Sequence, residues 1–155
     1  MIGFMSVEVQ AEADFSRARR RAFFGQVAAR LRRECSRLLA FDENREEHLA
    51  HNRHRLGLRD VEVSKIVGSV GRHEAFDRAF MPTKASLAER WKRVDRAFHS
   101  GLELPAVRLY KIGDSYFVED GNHRVSVARY QGVPTLEAEV TEFFPLHGAY
   151  QGRTA

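Results

Sequence analysis

Cysteine is almost missing from this chain of 155 residues: Cys35 stands alone, so no internal disulfide can form and nothing points to an oxidising compartment. Also missing is any apolar run near the roughly 20 residues that span a bilayer, and the opening MIGFMSVEVQ lacks the basic and apolar regions of a secretory leader. These absences predict a soluble, cytoplasmic protein with no membrane contact. Acidic residues are scarce in one stretch in particular. Phe15 to Leu39 carries Arg17, Arg19, Arg20, Arg21, Arg30, Arg32, Arg33 and Arg37 against Glu34 alone. The net charge of +4 is therefore concentrated there, and the rest of the chain is slightly acidic.

What is present is enough apolar residue, 43%, for one compact domain plus an appendage. Phe15, Ala18, Ala22, Val27, Ala28, Leu31, Cys35 and Leu38 recur at steps of three and four, which predicts an amphipathic helix from about Asp14 to Leu39. Its arginines read as the wet face of a docked helix, or as contacts to a nucleic-acid backbone through Arg17, Arg19, Arg20, Arg21, Arg30 and Arg33. From Asp42 to Arg55 the composition is polar, with His48, His51 and His54, and reads as a short helix ending near Gly57 within a linker. No ligand set for a metal surrounds those histidines.

The expected folded core runs from 58 to 144, preceded by the helical, arginine-rich 1–57 and followed by a tail over 145–155. Val61, Val63 and Ile66 alternate as in a strand, with Gly68 and Gly71 closing it. EAFDRAF reads as a short helix stopped by Pro82. SLAERWKRVDRAFHSG reads as a longer one, with Ser86 as N-cap, Glu89 as its capping-box partner, Gly101 at its end, and Leu87, Trp91, Val94 and Phe98 on its core face. Two strands joined at Gly113-Asp114 follow, then a helix from Asn122 to Gln131 and a last strand in PTLEAEVTEF. The fold class is thus α+β, a small mixed sheet with packed helices behind a long N-terminal helix.

The junction Asp120-Gly121-Asn122-His123-Arg124 draws attention because a strand hands over to a helix there. The first amides of a helix lack internal partners and carry partial positive charge, so they suit an anion. Gly121 keeps the backbone accessible, Arg124 offers forked donors, and His123 adds a donor or a base near neutrality. The same residues also allow a plain turn, with Asp120 as N-cap and Arg124 paired to Glu119 or Asp120.

ELPAVRLYKIGDSYFVEDGNHRVSVARYQGVPTLEAEV, with VEVSKIVGS upstream, resembles the ParB/sulfiredoxin superfamily, whose members open a helix with a Gly-x-His/Arg-Arg box. The likeness covers about Asp60 to Val140, and DGNHRVSVA is its one specific motif. It implies a nucleotide, of ATP or CTP type and with Mg²⁺, or another phosphate compound, held by Gly121, Asn122, His123 and Arg124. Members include a partitioning protein that hydrolyses CTP, a sulfinic-acid reductase using ATP, a free-serine kinase and proteins labelled nucleases, so the fold does not supply the reaction. Asn122 stands where sulfiredoxin needs its cysteine, which argues against sulfinic-acid reduction. The residues after Phe144 leave no room for the helix-turn-helix of a partitioning protein. By the same likeness Arg72 is expected to close over phosphates, Asp77 to hold a metal or act as a base, and Asp120 and His123 to serve as catalytic groups. An ion pairing of Arg72 and Asp77 with Glu74 and Arg78 is the plainer alternative. A DNA- or RNA-binding protein or nuclease is the second reading. Homodimerisation and the partner of the basic helix are left open by the sequence.

Overall fold

The structure is a computed structural model, and it describes residues 6–145. Four helices pack on one six-stranded mixed sheet, an α+β architecture. In chain order the elements are α1 (Val7–Arg32), β1 (Leu39–Ala40), α2 (Phe41–Glu47), β2 (Asn52–Glu62), β3 (Ile66–Ser69), α3 (Ala88–His99), β4 (Val107–Ile112), β5 (Ser115–Asp120), α4 (Asn122–Gln131) and β6 (Thr135–Phe144). The strand order is β1-β3-β5-β4-β6-β2. The β1–β3, β3–β5 and β4–β6 pairs are parallel, while the β4–β5 hairpin and β2–β6 are antiparallel. Among the described residues, no helix is long and apolar enough to cross a membrane.

Strand alternation sends neighbouring residues to different cores. Val118 joins the large cluster with Trp91, Phe76, Phe80 and Val125, whereas Phe117 joins a smaller one with Phe41, Ala50, Ile112 and Phe143. Trp91 is fully buried, and its indole N–H donates to Ser126 Oγ at 2.8 Å; that hydroxyl in turn donates to the Phe80 carbonyl. A polar ring edge is thereby accommodated inside the core without an unpaired donor. Gly68 sits within β3 rather than closing it, because a Cβ there would lie 2.4 Å from the Leu39 carbonyl and 2.5 Å from the Phe117 ring.

Several local expectations are corrected. The first helix begins at Val7, capped by Ser6, and ends at Arg32 with Arg33 in the left-handed region, seven residues short of Leu39. Ala11, Phe15, Ala18, Ala22 and Ala29 are its buried stripe, so α1 is part of the main core and packs against α3. His54 lies in a strand, not a helix: β2 runs through position 57 and pairs along its length with β6, with a bulge between Arg55 and Gly57. Val61 lies near the end of that strand, Val63 begins a 3-10 turn, and Ile66 starts β3. EAFDRAF is a turn and not a helix, since Phe80 takes a positive φ of 60° and Asp77 Oδ1 accepts from the amides of Ala79 and Met81, each at 2.9 Å. Ser86 lies inside a 3-10 turn, Ala85–Leu87, that leads into α3, and it caps nothing. Of the tail, only Pro145 falls within the described residues.

Candidate functional site

The helix α4 begins one residue after a strand ends, and Gly121 makes the corner with φ 106°. A side chain there would meet Val107 Cγ1 at 2.7 Å in a backbone region that favours glycine. No side chain caps this helix start. The first amides of α4, those of Asn122, His123 and Arg124, precede the first internal bond, which runs from Val125 N–H to the Gly121 carbonyl at 3.0 Å.

In front of this helix start lies a cleft of about 510 Å³. Gly71 and Arg72 come from the loop after β3, Arg90, Arg93 and Val94 from α3, and the remainder from Glu119 to Arg124. Glu119 is held by Arg108 at 2.9 Å and Asp120 by Arg124 at 3.0 Å, so both carboxylates are neutralised in place. Among the described residues, Arg72, Arg90 and Arg93 have no carboxylate partner, and all three are exposed. Three unpaired guanidinium groups beside a bare helix start give the cleft a positive field, and a concave low-dielectric wall strengthens it.

Arg124 is more constrained than its sequence position suggests. Its Nη1 donates to the carbonyls of Pro105 at 2.7 Å and Ala106 at 2.9 Å, and its Nη2 donates to Asp120. The pairing with Asp120 that the sequence left open is therefore formed, and Arg124 clamps the β4 approach onto the box. Asp120 does not cap α4; the residue before the helix is Gly121.

His123 is half-buried, its ring edge-on to Phe76 with centroids 5.3 Å apart. Burial, together with the charges of Arg72 and Arg90, lowers its pKa to about 4, so the imidazole is neutral at neutral pH. Neither ring nitrogen has a hydrogen-bond partner, nor does the buried Oδ1 of Asn122. Unpaired buried polar atoms are uncommon and call for an explanation.

Comparisons with known proteins add little beyond this geometry. No family model and no curated protein matches the chain. A sulfiredoxin resembles it in structure. That protein, from Arabidopsis thaliana, is 19% identical, with a TM-score of 0.37, over 54% of this chain and 82% of the other.

The cleft gathers Arg72, Asp120, Gly121, Asn122, His123 and Arg124, all singled out from sequence, but not Asp77. The Asp77 carboxylate lies under α1, where a Cβ on Gly25 would approach its Oδ2 to 3.3 Å, and burial raises its pKa despite the two amides it accepts from and the charge of Arg129. Asp77 faces a separate depression with Gln26 and Arg30, so its work is to hold the turn over residues 77–81. Nor does Glu74 pair with Arg72; it lies 4.0 Å from Arg37. Sequence reasoning missed Arg90 and Arg93. Their spacing of three placed them together beside the Trp91 face, but charge on a helix reads first as a solvated side.

A second polar cluster joins α1 to α3 and α4. Asp14, Asp95 and His99 bring ligand-type atoms within 4.8 Å of one another. Gln131 Nε2 lies among them, 2.8 Å from Asp95 Oδ1, 3.2 Å from Asp14 Oδ2 and 3.3 Å from His99 Nε2. An NH₂ group thus occupies the position an ion would need, and the cluster reads as a hydrogen-bonded latch. Burial and the neighbouring Asp14 push the pKa of Asp95 up to about 7. Burial also acts on Asp14, but hydrogen bonds from Asp95, His99, Gln10 and Tyr130 outweigh it and keep its pKa low.

The basic helix is partly engaged in the fold. Arg17 lies 3.6 Å from Asp14, Arg19 donates to the Thr83 carbonyl, and Arg21 sits 4.7 Å above the Tyr130 ring. Arg20, Arg30 and Arg33 are exposed.

Proposed function

We propose that this protein binds a nucleotide or another phosphate compound in the cleft at the start of α4. The observation that carries this reading is the juxtaposition of an uncapped helix start with three unpaired arginines, Arg72, Arg90 and Arg93. A phosphate seated there would accept from the amides of Asn122, His123 and Arg124 while the guanidinium groups bind its outer oxygens in charge-assisted, forked bonds. Arg124 contributes mainly by fixing the box through Pro105, Ala106 and Asp120. His123, neutral at physiological pH, can donate one ring N–H and accept at the other nitrogen.

A nucleotide of ATP or CTP type fits the charge of the site, and the resemblance of the box favours it. Both carboxylates at the cleft are already paired with arginines, so Mg²⁺ would be held chiefly by the phosphates, with Asp120 and Glu119 as the protein carboxylates beside it. Bound there, the ion would offset phosphate charge. In a phosphohydrolase or phosphotransferase, Asp120 and His123 would be the groups to orient a water or hydroxyl, Asp120 on leaving Arg124 and His123 on exposing a ring nitrogen that is now buried.

Thermal shift tests this reading. ATP, CTP and inorganic phosphate, each with and without Mg²⁺, should include a ligand that raises Tm in the wild type, with no rise in the Arg90→Ala/Arg93→Ala double variant. A rise of equal size in that variant, or none with any ligand in the wild type, would defeat the assignment. A DNA- or RNA-binding protein or nuclease is the competing reading, and a salt series separates it. Backbone binding through many arginines weakens by orders of magnitude as salt rises, whereas a mononucleotide in a cleft responds far less.

A further inference from the structure

The helix α1 carries a second apolar stripe, on the side away from the core. Phe23, Phe24, Val27 and Leu31 are exposed, with Phe24 at 65% and Leu31 at 82%. Arg20, Phe24, Val27 and Leu31 are spaced by four, three and four residues, the repeat that keeps a narrow seam on one side of a helix. The buried stripe, Ala18, Ala22 and Ala29, lies on the opposite side of the same turns, so this seam is not spare core surface. Phe23 stacks edge-on against Phe24 with centroids 5.6 Å apart, and both border a depression of about 440 Å³ shared with Arg19 and Arg20. Unsatisfied large apolar side chains clustered at one place mark an interaction site.

Charge decides the occupant. From Arg17 to Arg33 the chain has seven arginines and no acidic residue, and Arg20 and Arg30 at the seam have no intramolecular ion-pair partner among the described residues. A second copy of this helix would set arginine against arginine along the seam, which costs free energy. A nucleic acid would use the arginines and the phenylalanine rings but would leave Val27 and Leu31 without a partner, since base stacking needs aromatic faces. A membrane surface calls for a longer apolar face than the four exposed side chains confined between Phe23 and Leu31 provide.

We propose that this outer face of α1 is the docking site for an acidic amphipathic helix of another protein. Its apolar residues would interlock with Phe24, Val27 and Leu31, and its carboxylates would meet Arg20 and Arg30. The pairing would use the helix-in-groove logic of coiled coils, with edge charges choosing the partner.

The test uses the full chain and a synthetic probe: a three-heptad peptide with leucine at the seam positions and glutamate along both edges, labelled for fluorescence anisotropy. At physiological ionic strength the peptide should bind with a Kd of about 1–10 µM. A scrambled peptide of the same composition should not bind. Phe24→Glu/Leu31→Glu should weaken binding by about tenfold or more while unliganded Tm stays unchanged, because both side chains are already in water. Arg20→Glu/Arg30→Glu should lose the acidic peptide and gain a version with lysine at its edges, a swap that a purely structural role would not produce. The proposal is overturned if the scrambled peptide binds equally or the charge swap changes nothing. It is equally overturned if Phe24→Glu converts a stable dimer to monomer, or if a single-stranded oligonucleotide or phosphatidylserine vesicles bind this face more tightly than the peptide.

Discussion

The two ends of α4 sit on the same helix and touch the same neighbour, α3, yet they treat polar groups in opposite ways. At the C-terminal end, His99, Tyr130 and Gln131 all reach Asp14, and Gln131 also donates to Asp95, whose Oδ2 is the one atom of these carboxylates without a hydrogen-bond partner among the described residues. At the N-terminal end, Asn122 Oδ1 and both nitrogens of His123 have no partner, the helix start is uncapped, and Arg90 and Arg93 have no carboxylate. Buried polarity that is mostly answered internally favours one arrangement of helices, whereas a helix start and arginines left unanswered beside a cleft can take a ligand.

Removing one member of the C-terminal network should have the largest effect. Asp14→Ala takes the acceptor from Tyr130 and His99 and leaves Gln131 only Asp95, and chemical denaturation should show a loss of about 3 kcal/mol. A loss under about 0.5 kcal/mol would mean the network does not hold α1 in place. At the other end, Gly121→Ala places a Cβ 2.7 Å from Val107 in a left-handed backbone, and its cost should be about 1–3 kcal/mol. Ligand binding should fall with it, because the corner aims the first amides of α4. Full retention of both stability and binding would remove Gly121 from the argument.

The smallest effect sharpens the contrast through pH. The folded-state pKa of Asp95 is raised from 3.8 to about 7, so the folded protein binds a proton that the unfolded chain releases. That contribution is fully present below pH 3.8 and is lost as pH rises through about 7. The lowered pKa of His123 acts the other way, since the unfolded chain takes up a proton between about 6.5 and 4 that the folded chain refuses. Asp95→Asn, which keeps a hydrogen-bonding amide without titrating, should therefore be more stable relative to wild type at pH 7.5 than at pH 5, as read from Tm at the two values. A pH-independent difference between the two proteins would show that Asp95 is ionised at neutrality.

Much of this was legible where the chain punctuates itself. Gly113-Asp114 marks the hairpin, and Gly121 and Gly132 bracket α4, so the bounds Asn122–Gln131 could be read from glycines alone. The box was visible because it breaks a strand with residues that a solvated turn does not require. In contrast, β2 was hidden because only Val61 of its eleven residues is buried, so no alternation of apolar residues reveals it. Phe76 and Phe80 imitate a helical repeat, yet they reach the core through a turn that Asp77 ties and a positive φ at Phe80 permits. Arg90 and Arg93 were illegible for another reason: only the approach of α3 to α4 turns a wet helix side into the wall of a cleft. Asp14, Asp95 and His99 are 85 residues apart at the extreme, and nothing local links them.

Strand β2 also bears on how the molecule behaves in a crowded solution. Its outer side forms one rim of the sheet, where open backbone groups would normally recruit a like strand from another molecule. Arg53, Arg55 and Arg59 share this strand with Asp60 and Glu62, and the bulge near Gly57 bends it, so it offers a poor template for a second flat strand. Protection against like-strand pairing thereby rests on a strand that buries Val61 alone among its eleven residues.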